Sequence, residues 1–236
     1  MKKRDASLLE ASIILGPERI VNILDVTGKW NRQLKLDTEL GYTIEQIESC
    51  AEANKNGLAN WFLVYHQGKS PKEILAERFK SEFGFGAKNR FEKNLWFSHS
   101  NESFWVNKKE DAGYYLINFI GEKEEYRELR FESTIFAMQE KIIEKLPQKC
   151  RAPLGIVLEA VFSIYDSLGI LLLEKWSHLS STRSYDGSLI YLGATWSSEN
   201  GEKMMNIFKF PKNHEDSVDD FHYYGIGTVL MMKKII

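Results

Sequence analysis

Two stretches hold side chains that can do chemistry. The run HEDSVDDFH at 214–222 packs two histidines and four acidic residues into nine positions. Hard oxygen and imidazole donors at that density can hold a divalent ion. His214, Asp219, Asp220 and His222 are the candidate ligands, with Asp216 beside them. Their spacing follows no metal motif, and an acidic loop after Pro211 is the simpler reading. The run WFLVYHQGKSPKE at 61–73 places Gly68-Lys69-Ser70 between an apolar stretch and a helix start. That order imitates a phosphate-binding loop. Such a loop needs a further glycine five positions ahead of Gly68, with four residues between, so that backbone amides can wrap the phosphate. Leu63 stands there, inside strand-forming sequence, which argues against the loop. Ser70 and Glu73 instead make a capping box with Pro71 at the first helical position. Lys69 then becomes a solvated loop residue, and only the helix dipole is left to attract an anion.

A third stretch, GFGAKNRFEKNLWFSHSNESFW at 84–105, interleaves cations with rings. Lys88, Arg90, Trp96 and Trp105 are the candidate ligand-binding residues, since cations beside aromatic faces suit single-stranded nucleic acid or a sugar. Residues 69–93 hold seven Lys or Arg against four Glu, a local charge of +3. The plainer account makes the rings core anchors and the cations surface. Nucleophilic catalysis has no signature here: no G-x-S-x-G elbow and no dinucleotide-binding glycine pattern occurs. His66, His99 and His178 are scattered, and each reads as a hydrogen-bonded strand-edge residue.

The elements that must position these residues follow from pattern. Residues 5–15 and 17–26 read as two short helices split at Gly16-Pro17. Thr43 and Gln46 form a capping box for a helix ending near Gly57. LANWFLVYH (58–66) is a buried strand, and a helix runs from Pro71 to about Phe83. LWFS and SFWV read as short strands in an irregular segment at 84–112. GYYLINFIG (113–121) is a strand by its aromatic and β-branched content. Helices follow at about 126–146 and from Pro153. LLLEKWSHLSSTR, GSLIYLGATW, KMMNIFKF and YYGIGTVLMMKK read as strands, and the Asp-Gly and Asn-Gly breaks between the first three signal hairpins. Helices early and strands late give an α+β fold. It has a helical N-terminal region (1–57), central helices and a C-terminal antiparallel β-meander within an α+β domain (58–236). The expected core is Trp61, Phe62, Val64, Tyr115, Ile117, Phe119, Ile135, Ile142, Val157, Val161, Ile164, Leu172, Ile190, Leu192 and Ile207.

Composition bounds the function. The chain has 236 residues, 43% hydrophobic and 27% charged, with 14 Phe, 10 Tyr and 6 Trp. That suffices for a sizeable core without staples. A formal net charge of −2 gives the whole chain no electrostatic claim on nucleic acid or membrane. Cys50 and Cys150 cannot form a disulfide framework or a cysteine-only metal site. The N-terminus begins like a signal peptide, but Asp5, Glu10 and Gly16-Pro17 break it. No segment approaches the length of a membrane span. The expected location is the cytoplasm, with no membrane partner.

Three stretches carry a resemblance: GKWNRQL (28–34), NWFLVYHQG (60–68) with GYYLINF (113–119), and VLEAVFSIYDSLGILLLEKWSH (157–178) with SYDGSLIYLG. Together they resemble uncharacterised bacterial proteins found as hypothetical reading frames. The resemblance implies one recurring unit and brings no activity, cofactor or site residue. The expected function is non-catalytic binding or interaction with a protein or small ligand, without a cofactor. The first alternative is an enzyme of unrecognised type, a metal-dependent hydrolase using the 214–222 cluster. The second is single-stranded nucleic-acid binding through 84–105.

Overall fold

The computed structural model describes residues 4–21, 36–80, 102–106, 109–119, 136–146, 148–170, 172, 177–196, 203–210 and 226–235. In chain order the elements are β1 (Asp5–Ser7), α1 (Leu8–Leu15), a 3-10 turn (Pro17–Arg19), β2 (Ile20–Val21), β3 (Glu39–Thr43), α2 (Ile44–Lys55), β4 (Trp61–His66) and α3 (Pro71–Lys80). Then come α4 (Ser103–Val106), β5 (Gly113–Phe119), α5 (Phe136–Glu144), β6 (Lys149–Arg151), α6 (Leu154–Leu168), β7 (Ser177–Arg183), β8 (Leu189–Trp196), β9 (Lys203–Phe210) and β10 (Ile226–Met232).

The main sheet runs β2-β4-β5-β10-β7-β8-β9, with β6 also paired to β10. The β2–β4 and β10–β7 pairs are parallel and the others antiparallel. This mixed sheet corrects the expected α+β arrangement. The hairpins β7–β8–β9 exist, but β10 leaves that sequence order and inserts between β5 and β7. Its continuous apolar run fits a central strand, and no local pattern says which strands will flank it. The N-terminal region is also not simply helical. Residues 5–7 pair with β3 as a separate two-stranded sheet, and Ile20–Val21 join the main sheet beside β4. Strands of two to five residues are too short to show a period of two. SFWV, expected as a strand, is the helical turn α4. Four residues cannot distinguish the two periods.

The caps are the local signals that hold. Ser7 with Glu10, Thr43 with Gln46 and Ser70 with Glu73 each bond reciprocally at a helix start. Each box satisfies two amides that the helix leaves without partners.

Alternation along β4 and β5 splits the core in two. Trp61, Leu63 and Tyr65 face one side with Tyr114 and Leu116, where α1, α2 and β3 cover them. Phe62 and Val64 face the other side with Tyr115, Ile117 and Phe119. There they meet α6, whose residues Leu154–Ile164 are all buried. A helix apolar all round belongs inside a core. Of the expected core residues, twelve are buried, Ile142 and Leu172 pack at its margins, and Ile135 lies outside the described residues. Tyr42 ties β3 to β5, and Tyr115 closes back on the turn before its own strand. The Leu116 amide donates to the Tyr42 hydroxyl at 3.1 Å, and the Tyr115 hydroxyl donates to the Asp111 carbonyl at 2.8 Å.

Two outcomes follow. Leu158 is fully buried on α6, so Leu158→Ala should cost about 2–5 kcal/mol by urea denaturation. Burial pushes the Tyr42 phenol up, and burial followed by the Asp111 and Glu110 charges pushes Tyr115 up to about 12. The folded state therefore holds these protons more tightly than the unfolded chain. That contribution is complete below about pH 10 and is lost as pH rises through about 12. Urea midpoints should fall across this window. Native protein should ionise fewer tyrosines than unfolded protein at the same pH, read by ultraviolet difference absorbance.

Candidate functional site

The strongest polar grouping lies where β4 ends under α6. His66 is the last residue of β4, and alternation sends its ring toward the α6 side with Val64 and Phe62. Its Nδ1 comes within 2.6 Å of Glu159 Oε2, out of line for a hydrogen bond, and Nε2 has no protein partner. Glu159 Oε2 accepts the Gln67 amide at 3.0 Å. The Tyr115 ring stands edge-on to His66 with centroids 6.1 Å apart. Two turns further along α6, Asp166 pairs with Arg78 of α3, whose guanidinium lies 5.1 Å from the Phe162 ring centroid.

A histidine oriented by a carboxylate can act as a general base. Here the side chains of His66 and Glu159 are only 1% and 4% exposed, so a substrate has no surface from which to reach them. The grouping gives a buried carboxylate polar neighbours and ties strand to helix. The Arg78–Asp166 pair does the same for α3.

The turn after β4 shows what Gly68-Lys69-Ser70 does. Gly68 takes φ +75, a conformation that favours glycine. Ser70 donates its amide to Glu73 at 2.8 Å and its hydroxyl at 2.9 Å. Lys69, partly exposed, reaches Glu77 on α3. The Lys109 ammonium beside Glu73, helped by Ser70, holds that carboxyl down at about 2. The helix start is thus already furnished with its own anion.

What the surface offers is apolar. Leu8, Ala11 and Leu15 fix the inner face of α1. On its outer face Leu9 and Ile13, one turn apart, are 46% and 74% exposed. Leu36, 48% exposed, joins them, since the Leu9 amide donates to the Leu36 carbonyl at 2.9 Å. Arg4 and Glu10 pair at the margin. The apolar character of α1 is readable in LLEASIIL, but which half stays outside is not.

Of the candidates from the sequence, Trp105 is buried in the core beside Phe104. Lys88, Arg90 and Trp96 lie outside the described residues, as do His214, Asp219, Asp220 and His222. Among the described residues no three His, Cys, Asp or Glu side chains gather as metal ligands, and no helix is long and apolar enough to cross a membrane. The buried His66–Glu159 pair was missed. Its one sequence signal was a lone carboxylate in the apolar run APLGIVLEAVF. Comparison with protein-family models, curated proteins and solved structures gave no match, so the site is read from its own geometry.

Removing one member of the pair strands the other. His66→Ala should destabilise by about 3–5 kcal/mol. In a double-mutant cycle with Glu159→Gln, the loss in the double variant should fall short of the sum by about 1 kcal/mol or more. Additive losses in urea denaturation would mean that the two side chains do not act together.

Proposed function

We propose that this protein is a non-catalytic interaction protein that binds another protein chain through the outer face of α1. The observation that supports this is that Leu9 and Ile13, one turn apart on α1, and Leu36, whose carbonyl accepts the Leu9 amide, all keep large aliphatic side chains exposed. Water charges a cost for such surface, about 25 cal/mol for each Å² that a partner would cover. Exposed apolar side chains grouped on one element mark a candidate interaction surface. The capping box and the buried inner face hold α1 in place, so the row is presented without an ordering cost at binding. Leu9 and Ile13 at i and i+4 suit an apolar groove on the partner.

The test compares wild type with Ile13→Asp. The exposed position makes the substitution nearly neutral for folding, within about 0.5 kcal/mol. A protein captured by the wild type is purified and titrated against both forms. The expected result is at least about thirtyfold weaker binding to Ile13→Asp, as for a side chain at the centre of an interface. Sedimentation of the wild type shows whether that partner is a second copy of the chain. Equal affinity of both forms for every captured protein would remove the reading.

A further inference from the structure

The end of α2 places an exposed Asn-Gly pair, Asn56-Gly57, in a fixed turn. Helix α2 closes with Asn56 at its C-cap and Gly57 after it. The Gly57 amide donates to the Asn54 carbonyl and the Leu58 amide to the Ala53 carbonyl, both at 3.0 Å. This is a Schellman closure, and it puts Gly57 at φ +71, where any other residue is strained. The fold therefore demands glycine directly after Asn56. Both residues are exposed. A Cβ built on Gly57 meets nothing within 4 Å.

Those conditions favour a known reaction of the amide side chain. Asparagine is chemically labile, and a following glycine leaves its own backbone nitrogen unhindered as a nucleophile. We propose that Asn56 deamidates in the folded protein. The Gly57 nitrogen, losing its proton to solvent base, bonds to the Asn56 side-chain carbonyl carbon. The C–N bond to the side-chain NH2 breaks, and ammonia leaves with a proton from water. Water then opens the five-membered imide at either carbonyl, giving aspartate or isoaspartate. No oxidant or cofactor enters, and the net change is water in, ammonia out.

Among the described residues, the other Asn or Asp placed directly before a glycine supplies the contrast. Asp186 precedes Gly187, but its carboxylate is held by Lys209, the Ser184 hydroxyl and the Ser188 amide. Those contacts, Lys209 first, keep the carboxyl ionised far below its ordinary value. An ionised carboxylate is a poor electrophile, so this turn resists the same closure. Asn60, near Asn56 in sequence, is engaged through its side chain by Arg19 at 2.6 Å.

The modification has a structural consequence. Either product adds a negative charge at the C-terminal end of α2, where the helix dipole opposes it. Isoaspartate also inserts a methylene into the backbone between residue 56 and Gly57. The closure bonds to Asn54 and Ala53 then lose their register. Asn54 is the residue whose side chain clamps both the amide and carbonyl of Trp61, at 2.7 and 2.9 Å. The loosened turn is therefore the one that leads into β4.

The full chain is incubated at mildly alkaline pH, digested and mapped by mass spectrometry, with the urea-unfolded chain alongside. The expected result is a gain of about 1 Da at Asn56 in the folded protein, ahead of Asn60 and faster at higher pH. Asn56→Gln, whose closure needs a larger ring, should lose the signal while keeping the melting temperature. Aged wild type should melt below fresh protein. An unmodified Asn56 in the folded chain, with ready modification in urea, would overturn the proposal by showing that the Schellman bond withholds the nucleophile.

Discussion

Glu159 is a carboxylate in the middle of a helix whose residues 154–164 are all buried, and much of the remaining structure answers it. A carboxylate cannot enter an apolar interior without polar partners. The Gln67 amide donates to it and the His66 ring lies against it, both from the end of β4. For that, β4 must end directly below α6 and its histidine must lie on the α6 side of the pleat. One residue of slippage would turn His66 toward α1 and α2 and leave Glu159 alone. The same requirement sets β5, since Val64 pairs with Tyr115 and His66 with Gly113. Buried pairs add little net stability against well-packed apolar residues, yet breaking one is costly. Their effect is to penalise wrong registers, and Arg78–Asp166 repeats that constraint two turns along α6.

The opposite face of the sheet is organised by side chains that bond backbone groups. Asp5 accepts the amides of Gly41 and Tyr42, which aligns β1 with β3. Asn54 clamps Trp61, and Tyr42 accepts the Leu116 amide. This layer needs only the inner half of α1. Since LLEASIIL is apolar on both halves, its outer half is left without a core to enter. The exposed row is thus a surplus that packing does not use.

Local chemistry was legible in the sequence, and long-range pairing was not. Thr43 with Gln46 and Ser70 with Glu73 announced helix starts three residues away, and Gly57 announced an end. The aromatic and β-branched content of 61–66 and 113–119 announced strands. Ser-Tyr-Asp-Gly announced a hairpin. Each of these is decided by neighbours within a few residues. The insertion of β10 between β5 and β7 joins segments separated by most of a domain, and both faces of a central strand are apolar whichever neighbours it takes. The pairing of His66 with Glu159 has the same character. A histidine ending a strand and a carboxylate in a helix each look ordinary alone. Only the packed sheet makes them one feature.

Gly68-Lys69-Ser70 shows how the same few residues can suit two chemistries, and how geometry chooses between them. A phosphate loop leaves its helix amides free and its lysine pointed at the ligand. Here Glu73 lies against the Ser70 amide and hydroxyl, and Lys109 balances its charge. Lys69 has turned along α3 to Glu77. Any anion approaching this helix start would meet a carboxylate already in place, held ionised by the contacts that make it a cap. The dipole is answered from within the chain, so the motif that most resembles a nucleotide site already has its helix start occupied.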